Sequence, residues 1–544
     1  MDDSLKFLRT QGDQLFGKRV GLMSFWQEVA ENFYPERADF TQAVHWGSAF
    51  AGNLTTSYPV MVRRELGNAF GGMLRPTSKA WFHVRTSNYD DLGTEARQWL
   101  EAAETQQRRA MYTSKANFLR AVKEGDHDYA AFGQCVISTE LNQTATGLLY
   151  RAWPLRDVAW CEDPGGDIDT VYRRWKLSLR ELSRLFKRVH HNVTTRLAKE
   201  PYAEITVWHC VVPAYAFRHE EFKRYPFVSV FIDVDNDFEL EAVGAWQMPY
   251  AIPRWQTLSG SQYAYSPATV VALPDARLLQ SMSRVLLEAG EKAVTPPMIA
   301  TKEALRSDVN VYAGGITWAS AEYDERLGEV LRPLTMDRNG IPLGLEMQQD
   351  IRTMINEAFY INKLTLPPPG QDMTAFEVGQ RVQEYIRQAL PVFEPTETEY
   401  NGALCEKTFN ILLRAGAFGS MNALPEQLRG AEIEFKFESP LHDALERRRG
   451  QTFMEARTML ADAMQLDPSS ASLVDAKIAL REVLHGIGVP AKWMRSEAAV
   501  NAIDKQAAEV QAQQAMLAQM QGAANIAKTA SEADRNSTLS GAPA

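Results

Sequence analysis

The sequence predicts an α+β chain, mainly α, divided among several domains. Three observations predict it. Apolar residues recur at helical spacing in three stretches: Phe25, Trp26, Val29 and Phe33, then Leu278, Leu279, Met282, Val285, Leu286 and Ala289, then Met347, Ile351, Met354, Ile355, Ala358 and Phe359. Between the first and second stretches, residues 135–260 are rich in β-branched and aromatic side chains. A chain of 544 residues is also long enough to bury several cores.

Residues 1 to about 135 read as mainly helical, with Pro35 stopping the Phe25–Phe33 segment. In the block that follows, Leu148–Arg156, Val171–Lys176, Ile205–Val212 and Phe227–Asp233 read as strands, and Pro164-Gly165-Gly166 as a turn. Ser178 and Glu181 form a capping box, which opens a short helix to about Arg188. Helix returns over 275–293, and Pro296-Pro297 ends it. About fifty mixed residues follow, with Gly314-Gly315 and Asn339-Gly340 as turn signals, before a helix over about 346–362. Residues 375–416 read as a helix kinked or interrupted near Pro391 and Pro395. Ile433, Phe435 and Phe437 alternate as a strand, and 441–500 read as helical, broken at Gly486-Ile487-Gly488-Val489-Pro490. From 501 the chain is rich in Ala and Gln, which predicts helix to about Met520 and disorder over Ser531–Ala544. No tandem repeat of 20 to 50 residues is visible.

Composition excludes some classes. Hydrophobic content of 45% and charged content of 23% fit a globular chain rather than a fibrous or disordered one. No run of about 18 apolar residues offers a membrane span. The acidic start Met1-Asp2-Asp3-Ser4 predicts no secretory signal. Cys135, Cys161, Cys210 and Cys405 are widely spaced, so reduced thiols in a cytoplasmic protein are expected rather than a disulfide framework.

Sites for chemistry are few. Asp233, Asp235 and Asp237 alternate like the start of a calcium loop, but Phe238 stands where the loop needs Gly and Gly244 where it needs Glu. A turn or strand end is the better reading. Asp163, Asp167 and Asp169 flank a Pro-Gly-Gly turn and read as turn residues. Asp126-His127-Asp128 could be a metal or acid/base cluster, yet adjacent residues on a helix do not share a face. His190-His191 reads as an exposed helix end. The sequence has no G-x-S-x-G elbow, no Walker A loop, no H-E-x-x-H and no G-x-G-x-x-G. No cofactor, metal or catalytic residue is expected. Arg447, Arg448 and Arg449 form the one compact basic run, either a contact for DNA or an acidic neighbour, or a solvated helix face.

The most informative joint runs from Leu364 to Ala417. Pro367, Pro368 and Pro369 hold the chain extended, and Thr374 with Glu377 then caps a long helix. With the 346–362 helix before it, this reads as a stiff apolar loop held out between two helices.

Read with other segments, the chain resembles the portal (head-to-tail connector) proteins of short-tailed, podovirus-type bacteriophages. Met73-Leu74-Arg75-Pro76-Thr77-Ser78-Lys79-Ala80-Trp81-Phe82 is similar to that family's early L-x-P-x-x-x-W-F segment, and Trp153-Pro154-Leu155-Arg156-Asp157 follows. Ser266-Pro267-Ala268 and Ala272-Leu273-Pro274-Asp275-Ala276-Arg277 resemble its G-P-A…A-L-P-D-x-R stretch, with Ser266 in place of Gly and Ala276 in place of a larger aliphatic residue. Glu288-Ala289-Gly290-Glu291-Lys292-Ala293, Pro296-Pro297, Met373-Thr374-Ala375, Glu377-Val378 and Ser439-Pro440-Leu441 complete the series in order. Together they span roughly residues 20 to 500.

The resemblance implies a portal-type fold assembled as a twelvefold ring. It implies a wing over 1–270, a first stem helix over 271–294, a clip over 295–345 and a second stem helix over 346–363. A tunnel loop over 364–374 follows, then a long kinked helix returning to the wing over 375–440, a helical crown over 441–500 and a tail over 501–544. It further implies a DNA channel at one capsid vertex of the virion, made in the host cytoplasm, for genome packaging, head–tail joining and DNA ejection. The implied partners are double-stranded DNA, terminase, a tail adaptor, the major capsid and scaffolding proteins and internal core proteins, with no membrane. Lys363, Leu364, Thr365, Leu366, Pro367, Pro368, Pro369, Gly370, Gln371, Asp372 and Met373 are the expected channel loop, with Lys363 as a basic collar at its mouth. A buried connector is the bland alternative for the loop, and a plain surface lysine for Lys363. The net charge of -10 then suits a conduit that repels the duplex rather than gripping it. Two rival readings stay open, a cytoplasmic multidomain enzyme and another structural ring protein of the virion. The 275–293 and 346–362 helices discriminate, because a stem requires them side by side.

Overall fold

The structure is a computed structural model. It describes residues 3–42, 54–300 apart from a few positions, short stretches between 301 and 339, 340–361, 394–437 apart from 421–423, and isolated positions beyond 479. The described residues divide into two compact units. One takes Met1–Phe82 and Gln106–Ala417, and the other takes His83–Thr105 and Phe418–Lys436.

The helices in chain order are α1 (Asp3–Lys18), α2 (Val20–Phe33), α3 (Tyr58–Ala69), α4 (Thr94–Met111), α5 (Phe118–Phe132), α6 (Leu179–Leu185), α7 (His191–Leu197), α8 (Ala214–Phe217), α9 (Pro267–Val294), α10 (Gly340–Ala358) and α11 (Ala403–Arg414). The strands are β1 (Phe82–Thr86), β2 (Val136–Leu141), β3 (Leu148–Trp153), β4 (Val158–Glu162), β5 (Ile168–Ser178), β6 (Glu204–Pro213), β7 (Phe227–Asp233), β8 (Phe238–Ala245), β9 (Tyr250–Ala251), β10 (Met298–Ala300), β11 (Leu331–Pro333) and β12 (Ile433–Phe437).

In the first unit, β4 to β8 form an antiparallel sheet in sequence order. Alternation along β6 sorts its two faces. Trp208, Cys210 and Val212 meet Leu5, Leu8, Leu15 and Phe16 of α1 in one core. Ile205 and Val207 face Leu179 and Leu182 of α6, Phe186 just after it and Val193 of α7 in another. A second sheet, ordered β3-β2-β9, lies against the largely buried helix α5. In the other unit, β1 and β12 form a two-stranded sheet, Trp99 meets Phe418 edge-on at 6.0 Å, and the Gly93 amide donates to Gln427 at 2.9 Å.

The five expected strands are all present near their expected bounds, and β1, β2, β4, β8 and β9 were not foreseen. Glu239 and Glu241 give β8 a polar rhythm typical of a sheet edge rather than a core strand. The capping box at Ser178 forms, with its hydroxyl accepting from the Glu181 amide at 3.3 Å, though α6 ends at Leu185 rather than Arg188. The first of the paired helices begins at Pro267, not 271 or 275. Ser266 caps it, and Pro274 is carried inside, because the Ser266 and Thr269 hydroxyls anchor the first turn to the Ala130 and Ala131 carbonyls, each at 2.8 Å. The second begins at Gly340, read above as part of a turn, and ends at Ala358 rather than 362 or 363. The expected elements over 362–393, 441–500 and 501–544 lie outside the described residues, apart from isolated positions.

Candidate functional site

Helices α9 and α10 pack side by side. Gly344 permits the close approach, because a Cβ there would stand 2.8 Å from Leu286 Cδ2. Lower down, Gln348 donates to the Ser283 hydroxyl at 2.6 Å. Each helix buries one row: Ala272, Ala276, Leu279 and Ser283 on α9, and Gln348, Ile351 and Ile355 on α10. Sequence reading placed Leu278 and Val285 on the same face as Leu279, and Met347 and Met354 with Ile351. The structure separates them. Val271, Leu278 and Val285 are 62%, 47% and 61% exposed, and Met347 and Met354 are 48% and 46% exposed. Each helix therefore carries two apolar rows, of which the chain buries only one. The pair is tied to its neighbours midway, where Gln280 bonds the Thr55 amide at 2.8 Å and the Thr56 carbonyl at 2.9 Å, and at its body end, where Ser266 and Thr269 hold the α5 carbonyls.

At that end the chain leaves the described residues after Ile361 and re-enters at Glu394. Both roots rest on one aromatic group. Phe359 packs on Phe33 at 5.3 Å, and Tyr360 lies 6.4 Å from the Trp255 ring. Trp255 stacks on Tyr129 of α5 at 5.3 Å, nearly parallel. On the returning side Tyr400 meets Tyr129 at 5.4 Å, and the Thr396 hydroxyl donates to the Tyr129 oxygen at 3.4 Å. Neither root has ordinary backbone. Tyr360 is left-handed, with φ of 58°. Thr396–Gly402 is a wide π-helical turn, a rare form that concentrates at functional sites. Pro395, where a kink or interruption was expected, immediately precedes the π segment, and the stretch before Glu394 lies outside the described residues.

A buried ion pair underlies the same place. Arg75 follows a second π-helical turn, Phe70–Leu74, and bonds Asp126 of α5. It also donates to Asn401 at 3.2 Å and lies over the Tyr400 ring at 4.7 Å. Gly125 lets Tyr400 approach, since a Cβ there would stand 2.5 Å from its hydroxyl. Burial pushes the Asp126 carboxyl above its usual range, with Arg75 pulling it back, and burial raises the Tyr400 phenol too. Asp126-His127-Asp128 thus does not converge. Asp126 takes Arg75, Asp128 takes Arg37 in a two-pronged bond at 3.0 Å, and His127 Nδ1 faces Arg63 at 3.1 Å. Burial, then the Arg63 charge, pushes His127 down to about 4.

The family model described as bacteriophage head to tail connecting protein matches residues 6–494. The chain belongs to that family. It is 24% identical over 454 residues to a probable portal protein of Bordetella phage BPP-1, covering 81% of this chain and 79% of that one. It is 23% identical over 542 residues to a portal protein of Salmonella phage epsilon15, covering 95% and 94%. A solved chain titled "Virion of native gene transfer agent (GTA) particle" aligns with 76% of this connector and 90% of its own length, at 9% identity and a TM-score of 0.34.

The expected loop residues of this connector, Lys363 to Met373, and the run Arg447 to Arg449 lie outside the described residues. The other candidates have structural roles. Asp233 Oδ1 accepts from the Asp235 and Asn236 amides at 3.1 Å each, and Asp163 Oδ1 from Gly165 at 2.7 Å and Asp167 at 3.0 Å, so both acids shape turns. His190 caps α7 by accepting from the Asn192 amide at 3.3 Å. All four cysteines are free. Among the described residues no group of His, Cys, Asp or Glu is placed to hold a metal, and no helix is long and apolar enough to cross a membrane. Tyr129, Trp255, Tyr360 and Tyr400 were missed by sequence reasoning.

Proposed function

We propose that this connector works as a subunit of a closed ring through which double-stranded DNA passes at one capsid vertex of the virion. The observation that carries the reading is the second, uncovered apolar row on each of α9 and α10. A row of Val271, Leu278 and Val285 at seven-residue spacing makes a seam for another helix. A patch of this kind on a chain otherwise well packed marks an interaction surface. If α9 of one copy covers α10 of the next, the contact is heterologous, and such contacts make a ring when the rotation between copies closes.

In this reading α9 and α10 are the stem, and 295–339, with the short β10–β11 pair, is the clip. The five-stranded sheet belongs to the wing, the loop 364–374 faces the channel, and 441–500 is the crown. The portal proteins named among the relatives support the assignment, and the family resemblance supports twelve subunits. The work is mechanical, and no step of it needs chemistry from this chain. A terminase supplies the packaging motor at the clip, a tail adaptor takes its place afterwards, and capsid, scaffolding and internal core proteins contact the outer parts.

Electron microscopy of the purified full-length chain, with particle mass measured alongside, tests the reading. Rings with a central hole and a mass near twelve subunits are expected. A monomer or compact small oligomer, at high concentration and with the phage's scaffolding protein present, would refute it.

A further inference from the structure

We propose that Tyr129 and Trp255 are positioning residues that couple the two roots of residues 362–393, so that a change of backbone at one root is felt at the other. The rings form a continuous path, Tyr360 to Trp255 to Tyr129 to Tyr400, with centroid separations of 6.4, 5.3 and 5.4 Å. Phe70 closes the group from below, meeting Tyr129 at 5.4 Å and Trp255 at 5.3 Å. The rings at its centre are inaccessible. Tyr129, Phe70 and Tyr400 are fully buried, and Trp255 is 7% exposed. Packed interiors transmit displacement because they have no slack.

Both roots also carry unusual backbone. A bulky aromatic residue is rarely left-handed, and Tyr360 is held so with its ring beside Trp255. On the other side the π turn carries one residue more than an α turn would at that place. Shedding it would rotate Thr396 and Tyr400 away from Tyr129. Each uncommon conformation leans on one ring of the stacked Tyr129–Trp255 pair, which gives the two roots a shared fate. The bearing on DNA passage rests on the channel reading above, whereas the coupling itself does not.

Hydrogen–deuterium exchange on the full-length chain tests the coupling. In Tyr360→Ala, amides of 396–402 should exchange at least about threefold faster, as well as those of 355–361. Coupling is reciprocal, so Tyr400→Leu, which removes the ring that meets Tyr129, should speed 355–361 by a similar factor. A purely local packing role predicts acceleration only around the substituted residue, and that result overturns the proposal. Trp255→Leu should speed both roots together. If it also speeds β5–β7 the body has opened, and the two single-root variants then decide. Because neither outcome requires rings or DNA, failure here leaves the channel reading standing, and the reverse holds too.

Discussion

Removing one partner of the Arg75–Asp126 pair should open α5, and removing both should not. The side chains are 3% and 4% exposed, so each charge is held without water. Asp126→Leu would leave the guanidinium with Asn401 and the face of Tyr400 alone. Arg75→Met would leave a carboxylate with no cation. Breaking a buried pair from one side costs about 3–5 kcal/mol, whereas replacing both partners by apolar groups of similar volume is near neutral. At about 1.4 kcal/mol per factor of ten, each single variant should raise exchange of the α5 amides roughly a hundred- to a few thousandfold. The double variant should return to within about tenfold of the wild-type chain. Native-state hydrogen exchange reads this locally, which suits a chain of more than one unit. Single variants that change α5 exchange by less than about fivefold would refute the reasoning, since they would mean that neither charge needs the other. A double variant as open as the two losses combined would refute it too, by placing the effect in packing rather than charge.

His127 gives a pH test. Its folded pKa of about 4 lies below its ordinary 6.5, so the unfolded chain takes the proton first. The stability it contributes is present above pH 6.5 and is lost as pH falls towards 4, by about 1–2 kcal/mol after allowance for partial solvent screening. Thermal melts of His127→Gln should fall less steeply than wild type across that window, and parallel curves would show that another group titrates. For the exposed row, Leu278→Asp with Val285→Asp should abolish ring formation while far-ultraviolet circular dichroism and the melting temperature stay close to wild type, because both residues face outward. Rings of normal mass from that variant would place the subunit contact elsewhere. Replacing Lys363 by Ala, or deleting Leu364–Gln371, should leave assembly intact and reduce the DNA packaged or retained per particle. Normal DNA content would remove the loop from the channel.

Local chemistry was legible in the sequence, and distant pairing was not. The strands of β5, β6 and β7 could be read because Val, Ile, Trp and Phe alternate there against short turns. The capping box at Ser178 could be read because its two partners are three residues apart. The start of α9 could not, because Pro274 looks like a boundary until α5 is seen holding the turn before it. Asp126-His127-Asp128 was visible as a cluster and was rightly denied a common face. What the residues do instead depends on Arg37, Arg63 and Arg75, brought in from positions no spacing rule connects with α5.

The same limit explains the site. Leu278 and Leu279 are equally apolar, and only the arrival of α10 decides which of them is covered. Periodicity finds an apolar face, but a face wider than one neighbour can cover is already a statement about a second neighbour. Of the six apolar positions read for each helix, only Leu279 in the first and Ile351, Ile355 and Phe359 in the second are buried, and the surplus is where another copy would sit. The four-residue spacing of Thr396, Tyr400, Leu404, Thr408 and Leu412 works in the same way. All five are buried, yet a straight α-helix at about 3.6 residues per turn would carry such a row some 40° further round at each step. A wide turn at Thr396–Gly402 takes up part of that drift, so the spacing held the π segment in plain view. Where pattern and standard geometry disagree, as they do on the outward rows of α9 and α10 and at the roots of 362–393, the disagreement marks the places where the proposed roles are to be tested.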